Sequence, residues 1–159
     1  KEFVASRLEG ELKDGGYSIL HIATHGQFTT EVKESFLLTF DDRLTVSDLE
    51  QLVGLFRFRR DPLELLTLSA CQTGTGDDRA ALGLAGIAVK AGARSALATL
   101  WYINDEASAE LVSEFYRQLH DTSISKARAL QLAQLKLLSE RVYEHPAFWS
   151  AFLLLNNWL

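Results

Sequence analysis

The chain of 159 residues is long enough for one domain with a buried core, and 47% of its residues are hydrophobic and 23% charged, as in folded globular proteins. A net charge of -5 without a clustered cationic stripe excludes electrostatic binding of nucleic acid. No apolar run reaches the ~18 residues of a membrane span. The single cysteine cannot form an intrachain disulfide, so we expect a reducing, cytoplasmic setting.

The beginning of the chain predicts a helix, a strand and a hairpin. Apolar residues at helical spacing predict a helix over residues 1–13, which a Gly-Gly pair follows. The mostly apolar residues 17–24 predict a buried strand. Residues 35–45 predict a hairpin with an Asp-rich turn, and residues 47–53 a short capped helix.

The middle of the chain predicts two further strands around an alanine- and glycine-rich helix. Residues 63–70 and 94–100 are apolar and indicate buried strands. The helix over residues 80–91 is capped at its start by Asp77 or Asp78 and is closed by Gly92.

The last third of the chain is predominantly helical. A helix over residues 105–119 presents an apolar face made of Leu111, Val112, Phe115, Tyr116 and Leu119. A second helix over residues 125–140 carries Ala127, Leu130, Leu135 and Leu138. Pro146 opens a last short piece, helical or extended, that is rich in aromatic residues.

Strands that alternate with helices, and that are apolar on both faces, predict an α/β fold with a mainly parallel sheet flanked by helices. In such sheets, chemistry gathers at the carboxyl ends of the strands. Three strand ends carry the residues of interest: His25, Cys71, and the segment 101–105.

The first strand end presents His25 followed by Gly26. A histidine there can protonate a leaving amine, and the N–H of Gly26 can stabilise an oxyanion. His21 lies within the strand and is interpreted as structural. The pair His21 and His25 has the spacing of a zinc motif, but Ile22 replaces the general-base Glu and no third ligand follows, so we expect no metal site.

The second strand end presents Cys71, which opens a Gly/Thr-rich loop before a helix. Such a junction offers the exposure and backbone dipoles that a nucleophile needs, and the N–H of Cys71 can be a second oxyanion donor. A nucleotide-binding loop at Gly74–Gly76 is a weaker alternative, because it matches neither the dinucleotide nor the P-loop pattern.

Five motifs in order, between Tyr17 and Trp158, strongly resemble the CHAT domain, a caspase-like family of the clan of caspases, metacaspases and separase. They are HIATHG at 21–26, LSACQTG at 68–74, GARS at 92–95, LW with NDEA at 100–107, and HPAFW at 145–149. The 46 residues from His25 to Cys71 also fit the caspase spacing of about 50.

The resemblance implies a caspase-like three-layer sandwich and a cysteine endopeptidase. His25 and Cys71 would be the catalytic dyad, and the backbone of Gly26 and Cys71 the oxyanion hole. No third triad member, metal or organic cofactor is required. The family implies a bacterial source, a protein or peptide substrate, and a fused tetratricopeptide (TPR) or other repeat array that regulates the cut. The alternative is a catalytically silent interaction domain of the same fold.

The resemblance also implies a substrate groove at the third strand end, with Trp101 as a pocket wall. Asp105 resembles an acidic position that would favour a basic residue at the cleavage site through charge pairing. Asn104 or Asp105 is equally suited to cap the following helix. The family's fold begins before the position of Tyr17, so we expect residues 1–159 to be a single domain that lacks the start of its fold and is part of a longer protein.

Overall fold

A computed structural model describes residues 4–29, 34–56, 62–69, 72–73, 86, 88–89, 91–101 and 103–159. The helices and strands in chain order are α1 (Ala5–Asp14), β1 (Ile19–Ala23), β2 (Gly26–Phe28), β3 (Phe36–Leu38), β4 (Arg43–Thr45), α2 (Val46–Gly54), β5 (Leu65–Ser69), β6 (Gln72–Thr73), β7 (Ser95–Thr99), α3 (Asp105–Leu119), α4 (Lys126–Ser139) and β8 (Phe152–Asn156). Two short 3₁₀ helices, Arg141–Tyr143 and Pro146–Phe148, precede β8.

The main sheet has the strand order β1-β5-β7-β8 and is mainly parallel, as predicted. β1 and β5 pair in parallel from Ile19↔Leu65 to Ala23↔Ser69. β5 and β7 are also parallel, whereas β8 is antiparallel to β7. The carboxyl ends of β1, β5 and β7 therefore lie together at one edge of the sheet.

Each face of the main sheet contributes to a different hydrophobic cluster, because successive strand residues point to opposite sides. Leu66 of β5 and Ala96 of β7 join a first cluster that includes residues of α1 and α2. Leu65 of β5 and Leu97 of β7 join a second cluster that includes residues of α3 and α4. Helices therefore cover both faces, which is compatible with the caspase-like sandwich.

The prediction that the first strand is buried on both faces was wrong. The exposed and buried residues of β1 alternate, and Ile19 is 42% exposed. β1 lies at the end of the strand order, and the second cluster contains residues of β5, β7 and β8 but none of β1. The face of β1 on the side of α3 is therefore open to solvent.

Not all of the apolar residues that the sequence places on α4 are buried. Leu135 is 49% exposed and Leu138 is 41% exposed. The buried residues are Ala129, Leu130, Ala133 and Leu137. The two alanines lie on the side of α4 that packs in the second cluster, so this face is made of smaller residues than the apolar pattern indicated.

A small second sheet, with the strand order β4-β3-β2-β6, was not predicted as a sheet. The predicted hairpin is confirmed as β3 and β4, which are antiparallel. β2 has three residues and β6 has two, which are too few to show a periodic pattern in the sequence. Thr45 caps the predicted short helix α2 through a capping box with Asp48.

The described part of the alanine- and glycine-rich helix ends as predicted at Gly92, which has a φ of 125°. The N–H of Gly92 donates to the carbonyl of Val89, and the N–H of Ala93 donates to that of Ala88. This pair of bonds is the Schellman motif, whose central position favours glycine. The predicted caps Asp77 and Asp78 lie outside the described residues.

Candidate active site

Paired strands precede and follow the two connections that carry His25 and Cys71 in the sequence. At the end of the main sheet, Ala23 pairs with Ser69. A few residues further along, Gln27 pairs with Gln72 in the parallel ladder of β2 and β6. Cys71 itself lies outside the described residues, but its neighbours along the chain on either side are paired with the neighbours of His25.

The backbone of His25 is held by the small sheet. Its carbonyl accepts a hydrogen bond of 2.8 Å from the N–H of Leu38, and the hydroxyl of Thr24 donates to the carbonyl of Leu38 over 2.7 Å. Gly26 is buried and pairs with Leu37. Since bonded and non-bonded pairs alternate in an antiparallel ladder, the N–H of Gly26 is directed away from β3. Its predicted role as an oxyanion donor requires that this N–H is not used in pairing with β3.

A cavity of about 540 Å³ lies between the carboxyl ends of the parallel strands and one side of α3, from Asp105 to Tyr116. The exposed ring of His25 lines it, together with Asp105. Its walls also contain hydroxyl groups and small apolar side chains. The remaining lining residues are His21, Ala23, Thr24, Ser69, Thr99, Ile103, Ser108, Ala109, Val112, Ser113 and Tyr116.

Three residues of the cavity lining, His21, Ser69 and Tyr116, form a polar cluster with the fully buried Thr67, here called the His21 cluster. A hydrogen bond of 2.8 Å joins Nε2 of His21 and Oγ of Ser69. The ring of Tyr116 lies 5.6 Å from that of His21, and its hydroxyl donates to Oγ1 of Thr67 over 2.9 Å. His21 keeps substantial solvent exposure, but partial desolvation of its ring lowers its pKa, since desolvation disfavours the charged imidazolium.

Asn104 and Asp105 occupy different positions at the start of α3. The side chain of Asn104 caps the helix, accepting hydrogen bonds from the N–H groups of Glu106 and Ala107. Asp105 is the first residue of the helix, is exposed, and lines the cavity. Of the two predicted capping residues, Asn104 is thus the one that caps.

Trp101 does not belong to the lining of this cavity. It is partly buried against the second cluster, and its indole N–H donates to the carbonyl of Ala147 over 3.2 Å. The N–H of Leu100 likewise donates to the carbonyl of Ala151. The HPAFW segment therefore anchors the chain that leads from β7 to α3, and the predicted role of Trp101 as a pocket wall stays a prediction.

Two structural features bear on other classes of site. Within the part of the chain that the structure describes, no three His, Cys, Asp or Glu side chains are grouped so that they could hold a metal ion. Among the described helices, none combines the length and apolar character needed to cross a bilayer.

With this geometry in place, the family can be assigned. The family model of the CHAT domain matches residues 1–157, nearly the whole chain. The chain belongs to the CHAT domain family. This is a caspase-like family that is often related to peptidases. No curated protein matches the chain.

The residues of the His21 cluster were not predicted to belong to the site of this CHAT domain. His21 was interpreted as a structural residue of the strand, and the structure shows that it also lines the cavity that His25 lines. The signal was present in the strand period: residues 21, 23 and 25 fall on one face of an extended chain. Ser69 has the same relation to Thr67 on β5. Tyr116 could not be found in this way, because it comes from α3.

Proposed function

We propose that this CHAT domain is a cysteine endopeptidase in which Cys71 is the nucleophile and His25 the general acid and base. The observation that carries the proposal is the double pairing around the two residues, Ala23 with Ser69 and Gln27 with Gln72. A parallel ladder on each side of the two short connections supports the expectation that His25 and Cys71 lie close together. The exposed ring of His25 faces a cavity large enough for a substrate side chain.

The reaction needs no group beyond the chain and water. His25 accepts the thiol proton, and the Cys71 sulfur forms a bond to the scissile carbonyl carbon. The tetrahedral intermediate collapses to a thioester when the C–N bond breaks and His25 donates the proton to the leaving amine. Water then attacks the thioester, His25 takes its proton, and the C–S bond breaks to release the carboxylic acid and the thiol.

The cavity supports a preference for a basic side chain at the cleavage site. Asp105 lines the cavity, and Asn104 already caps α3. The Asp105 carboxylate is therefore placed where it can accept a charge-assisted hydrogen bond from a lysine or arginine. We further propose that the cut is made in the cytoplasm on a protein or peptide substrate, and that a TPR or other repeat array in the longer protein regulates it.

The test is cleavage of a peptide library by the full-length protein, with alkylation of Cys71 followed by peptide mass spectrometry. We expect the Cys71 thiol to react with iodoacetamide at least about tenfold faster than free cysteine at neutral pH, because a neighbouring histidine raises its thiolate fraction. His25→Ala should remove this excess rate and cleavage, and Cys71→Ala should abolish cleavage.

His120→Ala is the matched control, since His120 is an exposed histidine at the end of α3 and is outside the cavity lining. It should leave alkylation and cleavage unchanged. Cleavage that persists in Cys71→Ala would contradict the proposal. A folded protein that cleaves nothing, and whose Cys71 reacts like free cysteine, would instead be a catalytically silent interaction domain.

A further inference from the structure

The hydrogen bond between His21 and Ser69 runs diagonally across two strands. The residue directly opposite His21 in the ladder is Thr67, whereas Ser69 lies opposite Ala23. The bond of 2.8 Å thus reaches two residues along β5, to the last residue of that strand. In the sequence, Cys71 follows two residues later.

The ring of His21 is held in place from α3. Tyr116 contacts it at a centroid distance of 5.6 Å with the planes tilted by 44°. Tyr116 is itself fixed, because its hydroxyl donates to Thr67, which is completely buried. Contacts from α3 and β5 therefore determine the position of the His21 ring, which in turn is hydrogen-bonded to Ser69.

Ser69 is the point at which β5 changes from a buried to a partly exposed strand. The four preceding residues are buried, and Ser69 is half-buried beside the cavity. The backbone of Ser69 is paired with Ala23 in the ladder. The side-chain hydrogen bond to His21 adds a second restraint at this end of β5, immediately before the connection that carries Cys71.

We propose that His21 is a positioning residue that holds Ser69 through Nε2 and thereby fixes the end of β5 that leads to Cys71. This role rests on the proposed function of Cys71. Among the described residues, the titratable groups that share the cavity with His21 are His25, and Asp105 and Tyr116 of α3. The lowered pKa of His21 supports the proposal, since an uncharged ring at neutral pH restrains Ser69 without adding a second acid beside His25.

Two substitutions of His21 separate its hydrogen bond from its shape. His21→Phe keeps a ring against Tyr116 and loses the bond, whereas His21→Gln loses the ring and keeps an amide nitrogen able to reach Ser69. Ser69→Ala removes the same bond from the other side. His120→Gln is the control, at a histidine outside the cavity lining.

The measurements are the alkylation rate of Cys71 in the full-length protein across a pH series, and kcat and KM for a cleaved peptide. We expect His21→Phe and Ser69→Ala each to lower the alkylation rate and kcat about tenfold, the effect of one lost hydrogen bond, with KM changed less than about twofold. His21→Gln should remain within about threefold of the parent. The double variant that combines His21→Phe with Ser69→Ala should be no slower than the slower single variant, because the two substitutions remove the same hydrogen bond.

The proposal would be overturned if the reductions in rate caused by the two single substitutions multiply in the double variant. It would also be overturned if none of the substitutions changes the alkylation rate. If His21→Phe does not fold, Ser69→Ala and His21→Gln still decide the question. The alkylation series also distinguishes two failures. Cleavage that survives Cys71→Ala would reject the proposed function, while the alkylation rates would still show whether His21 positions this part of the chain.

Discussion

At the scale of single residues, the start of α3 shows how two adjacent polar side chains take different tasks. Asn104 accepts two backbone hydrogen bonds of 3.0 and 3.1 Å and so satisfies the first turn of the helix. Asp105 contributes its carboxylate to the cavity and lies where the helix N-terminus favours negative charge. Helix stability and substrate preference can therefore be separated by mutation.

Asp105→Asn should lower kcat/KM for peptides with arginine or lysine at the cleavage site by about 10- to 100-fold, because one charge-assisted hydrogen bond is lost. Thermal stability should change little, since Asn104 still caps the helix. Asn104→Ala should do the reverse and destabilise the protein by about 1 kcal/mol without a change in preference. Peptide-library profiling and thermal unfolding check the two results, and an Asp105→Asn enzyme with unchanged preference would contradict the assignment.

At the scale of helices, two glycines of the alanine- and glycine-rich segment differ in their backbone conformation. Gly92 has a φ of 125°, in a region that side chains rarely adopt. Gly86 is helical and exposed, and a Cβ added there would meet no atom within 4 Å. Of these two glycines, only Gly92 therefore has a backbone conformation that favours glycine.

Gly92→Ala should destabilise the protein by roughly 1–2 kcal/mol, because an L-residue at this φ strains the backbone. Gly86→Ala should stabilise it by about 0.5–1 kcal/mol, since alanine has the higher helix propensity. Urea unfolding of both variants measures the difference. Equal effects at the two positions would contradict the Schellman end of the helix.

The contact between α3 and α4 contains a buried carboxylate. The side chain of Glu114 is only 5% exposed and bonds to Arg117 and Gln118 of its own helix, with Lys136 of α4 at 3.6 Å. The hydrogen bond from Arg117 is the main reason that the pKa of Glu114 is lowered to about 2. The ionised carboxylate therefore favours the folded state.

The stability that Glu114 contributes should be fully present above its ordinary pKa of 4.5 and should be lost as the pH falls toward about 2, because the unfolded state takes up the proton first. Glu114→Gln should lower the free energy of unfolding at neutral pH by about 1–3 kcal/mol and flatten its fall in acid. Denaturant unfolding across this pH range is the measurement. Parallel pH curves for the parent and Glu114→Gln would show that the carboxylate is not coupled to folding.

At the scale of the whole molecule, the main sheet joins the two hydrophobic clusters. Leu66 of β5 belongs to the first cluster and its neighbour Leu65 to the second. All five residues of β7 are buried. Because the same strands form a wall of both clusters, neither can lose its packing without disturbing the other.

We therefore expect one cooperative unfolding transition. Leu66→Ala and Leu97→Ala, which open cavities on opposite faces, should each destabilise the protein by about 2–5 kcal/mol. Hydrogen exchange should show α2 and α3 losing protection together in both variants. Separate transitions, with α2 opening first in Leu66→Ala and α3 first in Leu97→Ala, would contradict a shared core.

Local sequence patterns were enough to predict helices and strands such as α3, β5 and β7, and to predict one part of the candidate site, the position of His25. The 15 residues of α3 and the buried strands β5 and β7 follow from apolar periodicity and from caps that act within a few residues. The position of His25 just beyond β1 follows from where the apolar run of that strand ends. These features depend on neighbours along the chain, so the sequence alone determines them.

The remainder depends on contacts between residues far apart in the sequence. The pairing of β2 with β6, the open face of β1, and the buried alanines of α4 are decided by which elements pack together. Tyr116 reaches Thr67 across 49 positions, and His21 reaches Ser69 across 48. No pattern of period 2 or 3.6 encodes such distances. The sequence therefore determined where the candidate dyad lies along the chain, and only the tertiary structure placed His21 in the cavity that His25 lines.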